Sequence, residues 1–148
     1  MLVQIIKQLL VRDLGKLKNE IEQYRDQNKI WYTEKSISNS TGNLCLHLVG
    51  NLNTYIGTVF GKTDYIRNRD LEFSQKDIPG SELLKKIDDT ILVVEKSLEN
   101  VNDEQLEEEY PLLIWQEKTS TAYLLMHLTT HLTYHLGQVN YHRRLLDS

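Results

Sequence analysis

The length, composition and charge of the chain exclude several classes of protein. With 148 residues, of which 40% are hydrophobic and 26% charged, it has the size and balance of one globular domain, predicted to span residues 1–148. A net charge of −4 without a basic cluster argues against a nucleic-acid partner. The single cysteine, Cys45, excludes an internal disulfide and is typical of a reducing compartment, so we expect a cytoplasmic protein.

The N-terminal segment has the pattern of an amphipathic helix. Its apolar residues recur at every third or fourth position from Leu2 to Tyr24, which predicts a first helix over residues 2–28. Charged residues interrupt the apolar stretch early, and no small-residue cleavage site follows it. We therefore expect neither a signal peptide nor a membrane span, and no membrane partner.

The second helix is predicted from Asn39 or Ser40 to near Gly61. A glycine just past the last apolar residue is a usual helix stop. The apolar stripe of this helix repeats at helical spacing and consists of Leu44, Leu48, Leu52, Tyr55 and Val59. The charged segment over residues 62–79 has no sustained period, so we expect a long ordered loop there.

Two further helices are predicted in the second half of the chain. One spans residues 81–99, with Ser81 as its N-cap. The other begins with Thr119 and Ser120 as caps and ends at about Leu145.

The connection between these two helices contains a short apolar stretch. Residues 112–115 fit either a short strand or a loop that packs on the helices, because four apolar residues cannot decide between them. Four helices with almost no strand predict an all-α fold, a four-helix bundle with long connections.

The last helix carries a stripe of histidines. His127, His131 and His135 recur at every fourth residue and so share one face, and the surrounding leucines place that face close to the core. Because a helix rises about 1.5 Å per residue, the outer two lie about 12 Å apart along the axis, too far to bind one ion together. Either neighbouring pair could chelate a metal, with His47 of the second helix as third ligand. Cys45 faces away from His47 and fits a small buried residue better than a ligand.

Three segments follow one another over nearly the whole chain: NLCLHLVGNLNTYI, RNRDLEF and HLTYHLGQVNYH. Together they resemble the DinB-like superfamily of small metal-binding four-helix bundles, in particular one of its uncharacterised bacterial subfamilies. The resemblance implies a metal site made of one histidine from the second helix and the two of an HxxxH that precedes Gly-Gln. In this chain these ligands are His47, His131 and His135, and the Gly-Gln pair is Gly137 and Gln138. Many relatives carry Arg after the last ligand, where this chain has Leu136.

A site of three histidines has consequences for function. Three imidazoles leave coordination positions open for water or substrate, which is typical of a catalytic site. Zinc or nickel, and after them iron or manganese, are the expected ions, since imidazole binds all four. The resemblance implies a metal-dependent transferase of the thiol S-transferase kind, with a low-molecular-weight thiol such as bacillithiol or mycothiol as partner, or a hydrolase of small molecules. The alternative is a non-catalytic, dimeric metal-binding or stress-response protein, and a homodimer is an expectation from the superfamily alone.

Other residues are candidates for contact with the ligands or with a substrate. We expect Asn51, Tyr134 and Gln138 beside the metal ligands, while His127 is either such a neighbour or a structural histidine. The charged residues of RNRDLEF form either a salt-bridged loop, which we favour, or part of the site; they are Arg67, Arg69, Asp70 and Glu72. Four aromatic residues belong either to the core or to an interface, and they are Trp31, Tyr55, Trp115 and Tyr123.

Overall fold

A computed structural model describes residues 1–148, and its regular structure is helical. It contains five α-helices: α1 (Leu2–Glu22), α2 (Thr41–Leu52), α3 (Arg69–Ser74), α4 (Gly80–Leu98) and α5 (Thr121–Leu146). The only β pairing is an isolated bridge between Glu109 and Ser120. The predicted all-helical class is therefore confirmed, and residues 112–115 form a loop instead of a strand.

The four long helices share one core. Helix α1 packs against α4 and α5, and α2 packs against the same two helices. Most of the apolar face of α1 is buried, from Val3 to Ile21, as the spacing of its leucines and isoleucines predicts, whereas Leu2 at its start is exposed. Burial of each such side chain contributes about 1.5–3 kcal/mol. These contacts bring the histidine-bearing faces of α2 and α5 together.

Helix α2 is the most enclosed element of the fold. All 12 of its residues are buried, because α3, α4, α5 and the 3₁₀ turn Gln27–Trp31 pack around it. Its N-cap is Ser40, whose hydroxyl accepts from the backbone N–H of Asn43. After Leu52 the helix widens into a π-helical segment over Asn53–Thr58, and helical backbone continues to Phe60. The predicted end near Gly61 is therefore confirmed.

Two helix starts differ from the prediction. The segment expected to be a loop over residues 62–79 contains α3, which begins because the side chain of Asn68 accepts from the backbone N–H of Leu71. Ser81 does not cap α4, which begins at Gly80 after Pro79 without any side-chain cap. Ser81 therefore lies inside the first turn of α4, where its side chain is exposed.

The first helix ends earlier than predicted. Helix α1 stops at Glu22, not at residue 28, because the apolar period ends at Tyr24 and the chain turns there. The carboxylate of Asp147 accepts from the backbone N–H groups of Arg25 and Asp26, which satisfies donors that a longer helix would have used. No helix of the fold combines the length and the apolar character that crossing a membrane requires.

Candidate metal centre

Three of the predicted ligands meet between α2 and α5. His47 on α2 and His131 and His135 on α5 each offer one ring nitrogen, and these atoms lie within 4.8 Å of one another. The Nε2 atom of His131 lies 3.2 Å from that of His47 and 3.1 Å from that of His135. Of the two neighbouring pairs on α5, the structure thus places His131 with His135 beside His47.

Glu72 fixes the orientation of His47. Its Oε1 atom lies 3.1 Å from Nδ1 of His47, and the guanidinium of Arg67 donates to both carboxylate oxygens, at 2.8 and 3.0 Å. A carboxylate paired in this way only accepts, so Nδ1 of His47 carries the proton and donates. The Nε2 atom of His47 therefore presents its lone pair to the other two histidines.

Gln138 does the same for His135. Its Oε1 atom lies 2.7 Å from Nδ1 of His135 and accepts a hydrogen bond from that nitrogen. The proton on Nδ1 leaves the Nε2 lone pair of His135 free. The structure therefore places Gln138 beside a candidate ligand, as predicted. Gln138 fixes the tautomer of His135 as Glu72 fixes that of His47.

The arrangement of nitrogens fits a bound metal ion. Zinc bonds of about 2.0–2.1 Å at tetrahedral angles would place ligand nitrogens about 3.3 Å apart, close to the observed 3.1 and 3.2 Å. Nδ1 of His131 is buried and has no hydrogen-bond partner, so no protein acceptor fixes its tautomer. Nε2 of His131 can therefore donate to one of its two neighbours, or present a third lone pair to a cation bound among the three nitrogens. The three imidazoles are a donor set that divalent transition metals accept.

Burial keeps two of these histidines neutral. Loss of solvent, and after it the nearby His135 and His47, lower the pKa of His131 to about 4. Burial also lowers the pKa of His47, although the hydrogen bond and the charge of Glu72 act in the opposite direction. The neutral imidazole is the form that binds a metal, so both residues are ready to do so near neutral pH.

Glu72 does more than the favoured interpretation of RNRDLEF as a salt-bridged loop predicts. The Arg67–Glu72 ion pair exists, as that reading expects, but the pair also holds a candidate metal ligand. Gly50 makes room for the side chain of Glu72, because a Cβ atom at position 50 would lie 1.9 Å from Oε2 of Glu72. Asp70 is exposed and takes no part in the cluster. The glycine one turn after His47 is the one sequence signal for a close neighbour here.

His127 lies beside the cluster and not in it. Its ring stacks on that of His131, with centroids 5.9 Å apart, and meets the ring of Trp115 edge-on at 4.8 Å. Tyr134 is 66% exposed, and its ring contacts that of His135 from the solvent side at 5.3 Å. The sequence suggested that His127 is either a neighbour of the metal ligands or a structural histidine. Its position supports the first of these.

A cavity of about 220 Å³ opens next to His47 and His131, two of the three clustered histidines. Its polar lining consists of His47, His131, His127, Asn51, Arg67 and Arg69. Trp115, Tyr55 and three aliphatic side chains complete the wall. Three larger cavities, of about 330 to 480 Å³, contain none of the three clustered histidines. The site therefore combines a candidate metal centre with an adjoining space for a small molecule.

The remaining predicted residues have mixed positions. Cys45 is fully buried, as expected of a small core residue. Trp31 and Tyr55 pack against the core, whereas Trp115 and Tyr123 are 40% and 60% exposed and contact each other. The fifth histidine, His142, lies on α5 but is buried elsewhere, between Tyr24 and the backbone of Tyr32.

The helices and the clustered histidines define the class of all-helical proteins with a site that could hold a metal ion. Within that class the chain belongs to the family DUF1572, described as protein of unknown function, whose model matches residues 2–148. Comparison with curated proteins and with solved structures finds no match.

Proposed function

We propose that the chain is a DinB-like four-helix bundle that binds one divalent metal ion through His47, His131 and His135. With that ion it acts on small molecules, as a transferase of the thiol S-transferase kind or as a hydrolase. The observation that carries the proposal is the convergence of three Nε2 atoms, two of them with tautomers fixed by Glu72 and Gln138. The packing of α1 and α2 against both α4 and α5 supports the bundle.

In the proposed function the metal ion and the side chains of the protein have separate roles. A divalent ion held by three imidazoles, zinc or nickel first and iron or manganese after them, supplies a Lewis acid that lowers the pKa of a nearby water or thiol. Glu72 and Gln138 hold His47 and His135 in the ligand tautomer. Trp115 and three aliphatic side chains form the apolar part of the cavity wall.

The cavity favours a catalytic role over the non-catalytic alternative. A metal-binding or stress-response protein without turnover needs no space for a second ligand beside the ion. Here the space adjoins two of the three histidines and is lined by side chains that can hold and orient a small molecule.

Metal content tests the proposal directly. Elemental mass spectrometry on protein purified without a nickel column is expected to find about one equivalent of a divalent transition metal per chain. His131→Ala removes the nitrogen that lies between the other two and should lose the metal. His127→Ala, a matched change one turn earlier on the same helix, should keep it.

The opposite result is equally clear. Wild-type protein that contains no metal, and binds none when zinc, nickel, iron or manganese is added, would refute the ligand assignment. If metal binds, the loaded protein is assayed for transfer of a thiol to an electrophile and for hydrolysis, with His131→Ala as the blank. The absence of both activities would favour the non-catalytic alternative.

A further inference from the structure

We propose that the cavity beside His47 and His131 binds a small anion, a molecule with a carboxylate or phosphate group. The inference rests on the proposed function, since the cavity is the substrate side of the same centre. Two features of the cavity support it, the charge of its wall and its size.

The charged residues in the wall of the cavity are basic, in a chain that is acidic as a whole. Its lining contains two arginines and no carboxylate, although the net charge of the chain is −4. The charge of Arg67 is compensated by Glu72. Arg69 is exposed, lies at the cavity and forms no ion pair. An uncompensated guanidinium at the mouth of a cavity without acidic groups attracts carboxylates and phosphates, which it binds with two parallel hydrogen bonds.

The size of the cavity limits the ligand further. At about 220 Å³ it is smaller than the roughly 300–1,000 Å³ typical of sites for drug-sized molecules. Hydroxy acids, amino acids and small phosphate compounds are of suitable size, whereas nucleotides and peptides are not. Trp115 and Leu128 supply an apolar wall against the carbon skeleton.

Nuclear magnetic resonance of the ¹⁵N-labelled full chain tests the inference. The two indole N–H signals serve as reporter and internal control, because Trp115 lines the cavity whereas Trp31 packs over Gly42 and donates to the carbonyl of Ile78. The probes are glycolate, inorganic phosphate and neutral glycolamide. Each is titrated into zinc-loaded and into metal-free protein.

We expect glycolate or phosphate to shift the Trp115 signal saturably and to leave that of Trp31 in place. Which of the two binds more tightly identifies the anion. Arg69→Gln should raise the dissociation constant about tenfold, and glycolamide should bind about tenfold more weakly than glycolate. Arg25→Gln is the matched control, because Arg25 is also exposed and without an ion pair, and it should change nothing.

Several outcomes would overturn the inference. Equal binding of glycolamide and glycolate would exclude recognition of charge. Anion binding that requires zinc and is unchanged in Arg69→Gln would mean that the ion alone holds the anion. The metal-free titration keeps the two proposals separate, because the cavity can bind an anion even if the histidines bind no metal.

Discussion

The contact of Glu72 with His47 determines which ring nitrogen of His47 faces the candidate metal centre. His47 is buried, and burial alone would leave its ring free to adopt either tautomer. The contact of Nδ1 with Glu72 fixes one of them, and Arg67 fixes Glu72 in turn. A chain of two charged groups behind one ligand is expensive to bury unless every member is paired, as it is here. We therefore expect the charge of Glu72 to matter for metal affinity.

Glu72→Gln tests this at the scale of one residue. The change keeps the size of the side chain but removes the charge, which weakens the hold on His47 and leaves Arg67 without its partner. Metal affinity should fall about 10- to 100-fold, the usual cost of losing such an outer contact. Competition with a chromophoric chelator measures it. Asp70→Asn on the same helix is the control, because Asp70 is exposed. Equal affinity of Glu72→Gln and wild type would contradict the role of Glu72.

At the scale of elements, α3 marks the limit of what the sequence predicts. Its six residues make fewer than two turns, too few for a repeating apolar face. What holds α3 is tertiary, since the side-chain amide of Asn43 donates to the carbonyls of Glu72 and Gln75, each at 2.9 Å. The contact of Glu72 with His47 follows from this docking and has no local pattern. His131 and His135, in contrast, share a face through their spacing alone.

Helix caps offer a prediction at the same scale. Both Ser81 and Ser120 fit a cap by sequence, but only the hydroxyl of Ser120 accepts a helix N–H, that of Tyr123 at 3.1 Å. Ser120→Ala should therefore lower the free energy of unfolding by about 0.5–2 kcal/mol. Ser81→Ala should change it by less than about 0.5 kcal/mol, as exposed substitutions usually do. Urea unfolding of the two variants decides, and equal effects would refute the cap assignment.

At the scale of the whole molecule, the long helices and the connections differ in how far sequence predicts them. Each long helix has its own apolar face, so periodicity locates it to within a few residues. The pairing of α2 with α5, which brings His47 to the other two histidines, depends on packing; it was expected because His47 is the available third histidine and because of the resemblance. The cavity is further from prediction, because Arg69 reaches it from the short α3 and Trp115 from a loop, and neither segment has an apolar period. Its wall is a property of the assembled fold.

The same scale contains a buried hydrogen-bond chain that joins distant segments. Nε2 of His142 donates to the carbonyl of Tyr32 at 2.8 Å, so Nδ1 accepts from the hydroxyl of Tyr24 at 2.6 Å. The hydroxyl of Tyr24 in turn accepts from that of Thr41 at 2.7 Å. This chain ties the C-terminal part of α5 to the end of α1, the start of α2 and the connection between them. It requires neutral His142, because a protonated Nδ1 cannot accept.

Acid should therefore loosen the whole fold through His142. Burial lowers the pKa of His142 in the folded protein, although its hydrogen bond to Tyr32 acts in the opposite direction. The unfolded chain, with an ordinary histidine pKa of about 6.5, binds the proton first, so stability is complete above about pH 6.5 and is lost as pH falls from there toward the folded-state pKa.

Urea unfolding of metal-free protein at several values between pH 7.5 and 5 measures this loss. One such proton contributes a slope of at most about 1.4 kcal/mol per pH unit. His47 and His131 have lowered pKa values and add slopes of the same sign. His142→Gln removes only the contribution of His142, so the variant should be less stable than wild type at pH 7.5 but should lose less stability on acidification. An unchanged slope would show that the Thr41–Tyr24–His142 chain does not couple protonation to folding.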